Sequence, residues 1–230
     1  MNYKLLFIVL GISVLIGGVF LYLNYKPVSY SESLECQRIS YSGEPSEKVN
    51  IVFFTKGVSK DSLIDYVDYF NSFPPFSENK DKFNFFYLDY VPVCKINVGL
   101  LCYSRELIRA SSKCPNEIIV VLSDEKPNVR SSAYMNVISL NSNLPKSVLV
   151  HELGHVFSNL ADEYIPANIP SGSKNCVSKC DSFDGLGGCF EGCSRNDFYR
   201  SSESSIMRTL SSDNFGEFNQ NLIKQTITQY

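Results

Sequence analysis

The chain's only two histidines, His151 and His155, stand four residues apart, with Glu152 directly after the first. If residues 151–155 are helical, both imidazoles project from one face. They can then share one tetrahedral zinc ion. Glu152 can reach a water at such a metal, remove its proton and carry that proton to a leaving amine. This is the mechanical content of the H-E-x-x-H pattern. Its plain alternative is a surface helix that carries His and Glu by accident.

A catalytic zinc takes three protein ligands and keeps one position open. No third histidine exists, so the third ligand must be a carboxylate or a thiolate. Asp162 and Glu163 are the nearest carboxylates. On an unbroken helix Asp162 would lie roughly 10 Å along the axis from His155, too far to share the ion. The helix must therefore turn near residues 158–160. Asn159 suits that turn because Asn tolerates the left-handed conformation almost as Gly does. Asp162 can then fold back onto the metal, with Glu163 as the less favoured alternative. Without a metal, the two would be a solvated acidic pair.

The surrounding pattern predicts α/β layering. Val49 to Phe54 is a short apolar run, the mark of a buried strand, and Phe83 to Leu88 and Glu117 to Leu122 are two more. Ser59 to Phe70 has helical spacing, with Ser59 or Asp61 as N-cap. Residues 92–104 read as a cysteine-bearing loop, and Arg105 to Ser112 as a short helix. Ser132 to Leu140 reads as a fourth, more exposed strand. Pro145 opens a helix over Lys146 to Leu160, and Phe215 to Ile227 is a C-terminal helix. Residues 165–205 have little apolar periodicity. A loop that long is usually functional or cross-linked.

Leu5 to Leu23 is nineteen residues without a charge. As a helix it would span roughly 28 Å, close to a hydrocarbon core. It ends without a small-residue cleavage site, which favours an uncleaved anchor over a signal peptide. All eight cysteines follow it: Cys36, Cys94, Cys102, Cys114, Cys176, Cys180, Cys189 and Cys193. An even count beyond a membrane segment reads as disulfides in an oxidising compartment, which places the body outside the cell. The last four, spaced C-x3-C-x8-C-x3-C, could instead hold a structural zinc. The organisation expected is an anchor or signal segment at 1–26, a linker at 27–47, and a catalytic body at 48–230. Net charge is −3 with no long basic run, so no nucleic-acid partner is expected.

His151 to Tyr164, HELGHVFSNLADEY, resembles the active-site segment of the IgA-peptidase-type zinc metallopeptidases, within the metzincin clan. Asn159 stands where that family often has Gly. The resemblance implies a third ligand within Asp162-Glu163, which supports Asp162. Tyr199 to Arg208, YRSSESSIMR, resembles the stretch leading into the metzincin Met-turn, which implies that Met207 packs beneath the metal as a hydrophobic floor. Phe73 to Phe76 and Lys82 to Asn84 resemble the passage ahead of the family's second strand. The fold implied is a twisted mixed sheet, two packing helices, an active-site helix, a Met-turn and a C-terminal helix.

The expected function is zinc-dependent hydrolysis of peptide bonds, with His151, His155 and Asp162 on the metal and Glu152 as base. A peptide substrate would add as a strand along an edge around Ala133 to Val137. Two rivals stand beside this reading. One is a membrane-anchored binding domain with a structural zinc, against which Glu152 speaks, because a structural site needs no base. The other is an enzyme of the second major H-E-x-x-H clan, which would draw a ligand from Glu191 or Glu203.

Overall fold

The computed structural model describes residues 34–230. Its strands are β1 (Gln37–Ser40), β2 (Val49–Thr55), β3 (Phe83–Asp89), β4 (Lys95–Ile96), β5 (Leu100–Leu101), β6 (Ile118–Ser123), β7 (Ser132–Tyr134), β8 (Val137–Asn141), β9 (Phe190–Cys193) and β10 (Arg195–Arg200). Its α-helices are α1 (Lys60–Ser72), α2 (Arg105–Ser111), α3 (Ser147–Ser158) and α4 (Glu217–Ile227). The apolar segment at 5–23, and with it the anchor or signal reading of 1–26, lies outside the described residues. Among those residues no helix is long and apolar enough to cross a membrane.

Six strands form one mixed sheet in the order β1-β3-β2-β6-β8-β7. The four central strands run parallel, and β1 and β7 close the two edges antiparallel. The central runs are continuously apolar because both faces of the sheet are covered. Ile51, Phe53, Val120 and Ile138 join the core shared with α1, α3 and α4. The alternate residues Val52, Phe54, Val121 and Val137 join a second core with Leu107 and Ala110 of α2. The fold is therefore α/β with a mixed sheet.

The helices start where their sequences cap them. Ser59 accepts from the Ser62 N–H at the head of α1, and Ser104 from the Leu107 N–H at the head of α2. An aromatic cluster ties α1 to the metal-motif helix and to the segment before α4. Phe76 stacks on Phe70 and meets Phe83, Phe157 and Phe215 edge-on.

Three expectations need correction. The single exposed strand over Ser132 to Leu140 is a hairpin. Met135, at φ 53°, turns the chain between β7 and β8. β8 is buried along its whole length between β6 and β7, and only β7 is the edge. Apolar content along residues 132–140 did not betray the turn because its first central residue is Met rather than Gly. Within the stretch read as a linker at 27–47, residues 37–40 form β1, which pairs with β3, and Cys36 beside it is bonded to Cys114. The loop at 92–104 contains the β4–β5 hairpin, closed by Cys94–Cys102.

All eight cysteines are paired. In the cysteine-rich insert the bonds are nested, Cys176–Cys193 around Cys180–Cys189, which leaves no thiolate for a structural zinc.

Candidate metal centre

α3 is largely apolar and buried, and it packs against β8, α1 and α4. Burial fixes its rotation, so His151 and His155 look out of its one open side. His151 Nε2 lies 3.2 Å from His155 Nε2. The helix stops at Asn159, which takes the left-handed conformation (φ 50°, ψ 36°) and caps the Gly154 and His155 carbonyls. That reversal brings Asp162 back. Its Oδ1 lies 3.0 Å from His151 Nε2 and 3.3 Å from His155 Nε2.

The proton positions follow from the other side of each ring. His151 Nδ1 donates to the Ile206 carbonyl at 2.8 Å, and His155 Nδ1 to the Leu160 carbonyl at 2.7 Å. A carbonyl oxygen only accepts, so each neutral ring carries its proton on Nδ1 and presents a bare Nε2. Asp162 Oδ1 is buried without a donor. With both rings neutral, three acceptors converge with no proton among them, an arrangement a cation relieves. Ligands 2.0–2.1 Å from a tetrahedral zinc would stand roughly 3.3 Å apart, close to the separations found here. His151, His155 and Asp162 form a group that could hold a metal ion.

The charged forms respond to this crowding. Burial opposes the Asp162 carboxylate, yet the two histidines hold it well below the usual carboxylate range. Burial also opposes a charged His155, but Asp162 and Glu152 pull its pKa up. Glu152 is 6 % exposed, and burial pushes its carboxyl up against the pull of both imidazoles.

Glu163 goes elsewhere. It is fully buried and accepts from Asn175 Nδ2 at 3.0 Å, Asn219 Nδ2 at 2.8 Å and the Ser205 hydroxyl. Its own N–H donates to the Met207 carbonyl. Glu163 therefore ties the Asp162 segment to α4 and to the turn at 205–208. That turn supplies the Ile206 carbonyl to His151. Met207 is buried against Gly154, where a Cβ would come within 2.6 Å of its Sδ. Gly at 154 thus lets Met207 close beneath the helix between the two histidines. Glu191 and Glu203, the ligands of the second rival, are not among the converging groups.

Two supports were invisible in the sequence. Asn175 pairs its amide with both backbone groups of Ala161, so the residue before Cys176 clamps the residue before Asp162. Tyr164 donates to Asp162 Oδ2 at 3.0 Å, and Arg130 Nη2 donates to the Tyr164 hydroxyl at 2.6 Å. Tyr164 closes the segment that carries the family resemblance, but no feature of the sequence assigned it this role. Arg130, more than thirty residues upstream, had no signal.

The centre opens into a cleft of about 840 Å3. Ser131 to Met135 line one side, and Pro166 to Asn168 with Pro170 line another. No family model matches the chain, and no curated protein matches it.

Proposed function

We propose that this protein is a zinc-dependent peptidase of metzincin-like architecture. One observation carries the reading: three proton-free acceptors from His151, His155 and Asp162 converge at an open cleft, with the Glu152 carboxyl beside them. Two imidazoles and one carboxylate suit zinc better than a hard oxygen-seeking cation. Zinc bound there would supply Lewis acidity toward a carbonyl oxygen and acidify a water.

The chain's own groups do the rest. Glu152 takes the proton of the attacking water and passes it to the departing amine. The Ile206 and Leu160 carbonyls hold the two imidazoles in the right tautomer. β7, at the sheet edge and on the cleft wall, offers backbone groups to an extended peptide. The metzincin resemblance implies a third ligand within Asp162-Glu163 and Met207 as a floor beneath the metal; Asp162 beside both imidazoles and Met207 packed against Gly154 support that reading.

Four disulfides are compatible with an extracellular body. On hydropathy we place residues 5–23 as its membrane anchor.

The test is zinc analysis of the full chain together with a peptide-library digest, run on the parent and on Glu152→Gln. Expected are one bound zinc in each protein and hydrolysis by the parent alone. Equal hydrolysis by both would remove Glu152 from the chemistry. A parent that binds zinc and cleaves nothing would leave a zinc-binding domain in place of an enzyme.

A further inference from the structure

Arg130 is the one Lys or Arg side chain among the described residues lining the cleft. It sits just ahead of the edge strand β7, and its backbone is fixed because Leu100 N–H donates to its carbonyl at 2.8 Å. One guanidinium nitrogen, Nη2, is committed to the Tyr164 hydroxyl, and the Cζ lies 5.8 Å from the centroid of that ring. The group makes no ion pair within 4 Å among the described residues. Glu152 and Asp162 act on it electrostatically across the cleft without touching it.

A guanidinium carries five donors in a planar fork that matches a carboxylate with two parallel hydrogen bonds. Tyr164 occupies one and orients the plane. Arg130 lines a cleft whose other ionisable groups, tyrosines aside, are the Glu152 and Asp162 carboxylates and the two imidazoles of the candidate centre. With zinc bound, the ion would balance the Asp162 and Glu152 charges and leave the Arg130 charge, which has no ion-pair partner within 4 Å among the described residues, to a ligand that brings its own anion.

We infer that Arg130 is a specificity-determining residue that binds a carboxylate of the peptide substrate, either an Asp or Glu side chain near the scissile bond or the peptide's own C-terminus. The inference rests on the peptidase reading for the identity of the ligand. Tyr164 is the positioning residue that links this anion site to Asp162.

Binding can be read without turnover. In the full chain carrying Glu152→Gln and loaded with zinc, fluorescence anisotropy would compare labelled peptides that differ only in Glu against Gln at each position. A second set would differ only in a free against an amidated C-terminus. The expected result is about tenfold or tighter binding for the carboxylate member of one set, as a charged hydrogen bond gives. The set that responds identifies which carboxylate is bound. Adding Arg130→Gln should collapse that ratio toward one with zinc stoichiometry unchanged. Arg130→Lys should leave an intermediate ratio, since it keeps the charge and loses the fork.

A parent with no carboxylate preference overturns the inference, as does a ratio that survives Arg130→Gln. Loss of zinc from Arg130→Gln and Arg130→Lys alike would also overturn it, assigning Arg130 to support of Asp162 alone. The peptidase reading fails separately. A chain with native Glu152 that shows the Arg130-dependent preference yet cleaves none of these peptides keeps the anion site and loses the enzyme. One that cleaves them without preference does the reverse.

Discussion

Two adjacent carboxylates meet different surroundings in this fold. Asp162 faces two bare imidazole nitrogens, whereas Glu163 is sunk among amides and a hydroxyl. Burial pushes the Glu163 carboxyl up, against the pull of Ser205, Asn219 and Asn175. Their substitutions should separate cleanly. Asp162→Ala removes a proposed ligand atom and should weaken zinc binding by more than the ~10–100-fold that loss of a supporting group costs, measured by competition with a chelating dye. Glu163→Ala strands three buried donors and should cost about 3 kcal/mol in denaturant unfolding. Glu163→Gln keeps the shape and an acceptor for both asparagines, so it should cost about 1 kcal/mol or less. If Glu163→Gln were as damaging as Glu163→Ala, the buried group would have to be a charged carboxylate with no amide substitute. The sequence reached this pair from the absence of a third histidine and the need for a turn. It could rank Asp162 first but could not show what Glu163 does, because the partners of Glu163 lie 12, 42 and 56 residues away.

At the scale of elements, the centre depends on how α3 ends and what it rests on. Asn159 holds a left-handed conformation and also donates to the Ser171 carbonyl. Asn159→Gly should stay within about 1 kcal/mol of the parent, since Gly adopts that conformation without strain. Asn159→Val should lose roughly 1–2 kcal/mol and weaken zinc binding, because a β-branched residue there forces the cap to open. Thermal melts with and without zinc would show both effects. Gly154 runs against propensity. Ala in a helix interior is ordinarily better than Gly by roughly 1 kcal/mol. Here the added carbon would meet Met207 Sδ at 2.6 Å and Phe215 Cε1 at 3.0 Å. Overpacking of about 1–3 kcal/mol should win, so Gly154→Ala is expected to destabilise the chain. A stabilised variant would mean that Met207 moves aside at little cost.

For the whole molecule, the proposed zinc and the disulfides would act on different parts of the free energy. Zinc at a hundredfold excess over its Kd should add about 2.7 kcal/mol, or roughly 5–10 °C in Tm for a body of this size. Chelation should remove that gain, readdition of zinc should restore it, and His151→Ala should be insensitive to either. The disulfides restrict the unfolded chain instead. Cys36–Cys114 spans 78 residues and fastens the β1 segment to the end of α2. In the chain-entropy account its loss costs about 4 kcal/mol, against about 2–3 kcal/mol for Cys180–Cys189, which spans 9 residues. Paired Cys→Ser variants in urea should keep that order. Cys176–Cys193 has a local task as well, since Cys176 follows the asparagine that clamps Ala161 beside Asp162.

The sequence by itself determined the features that arise from near neighbours. The strands β2, β3 and β6 and the helices α1, α2, α3 and α4 follow from apolar period, capping serines and Pro145. The shared face of His151 and His155 follows from helical geometry, and the need for a reversal at Asn159 from the reach of Asp162. Tertiary structure decided everything that depends on distant residues meeting. It nested the last four cysteines as disulfides, split residues 132–140 into an edge strand and a buried one, and built β1 into the sheet. It also turned Glu163 into a brace and brought Arg130 through Tyr164 to Asp162. The reason is physical. Backbone geometry writes a period of 3.6 or 2 into a few consecutive residues, whereas a buried polar group takes whatever partner the packed chain delivers, and no local pattern records which one that is.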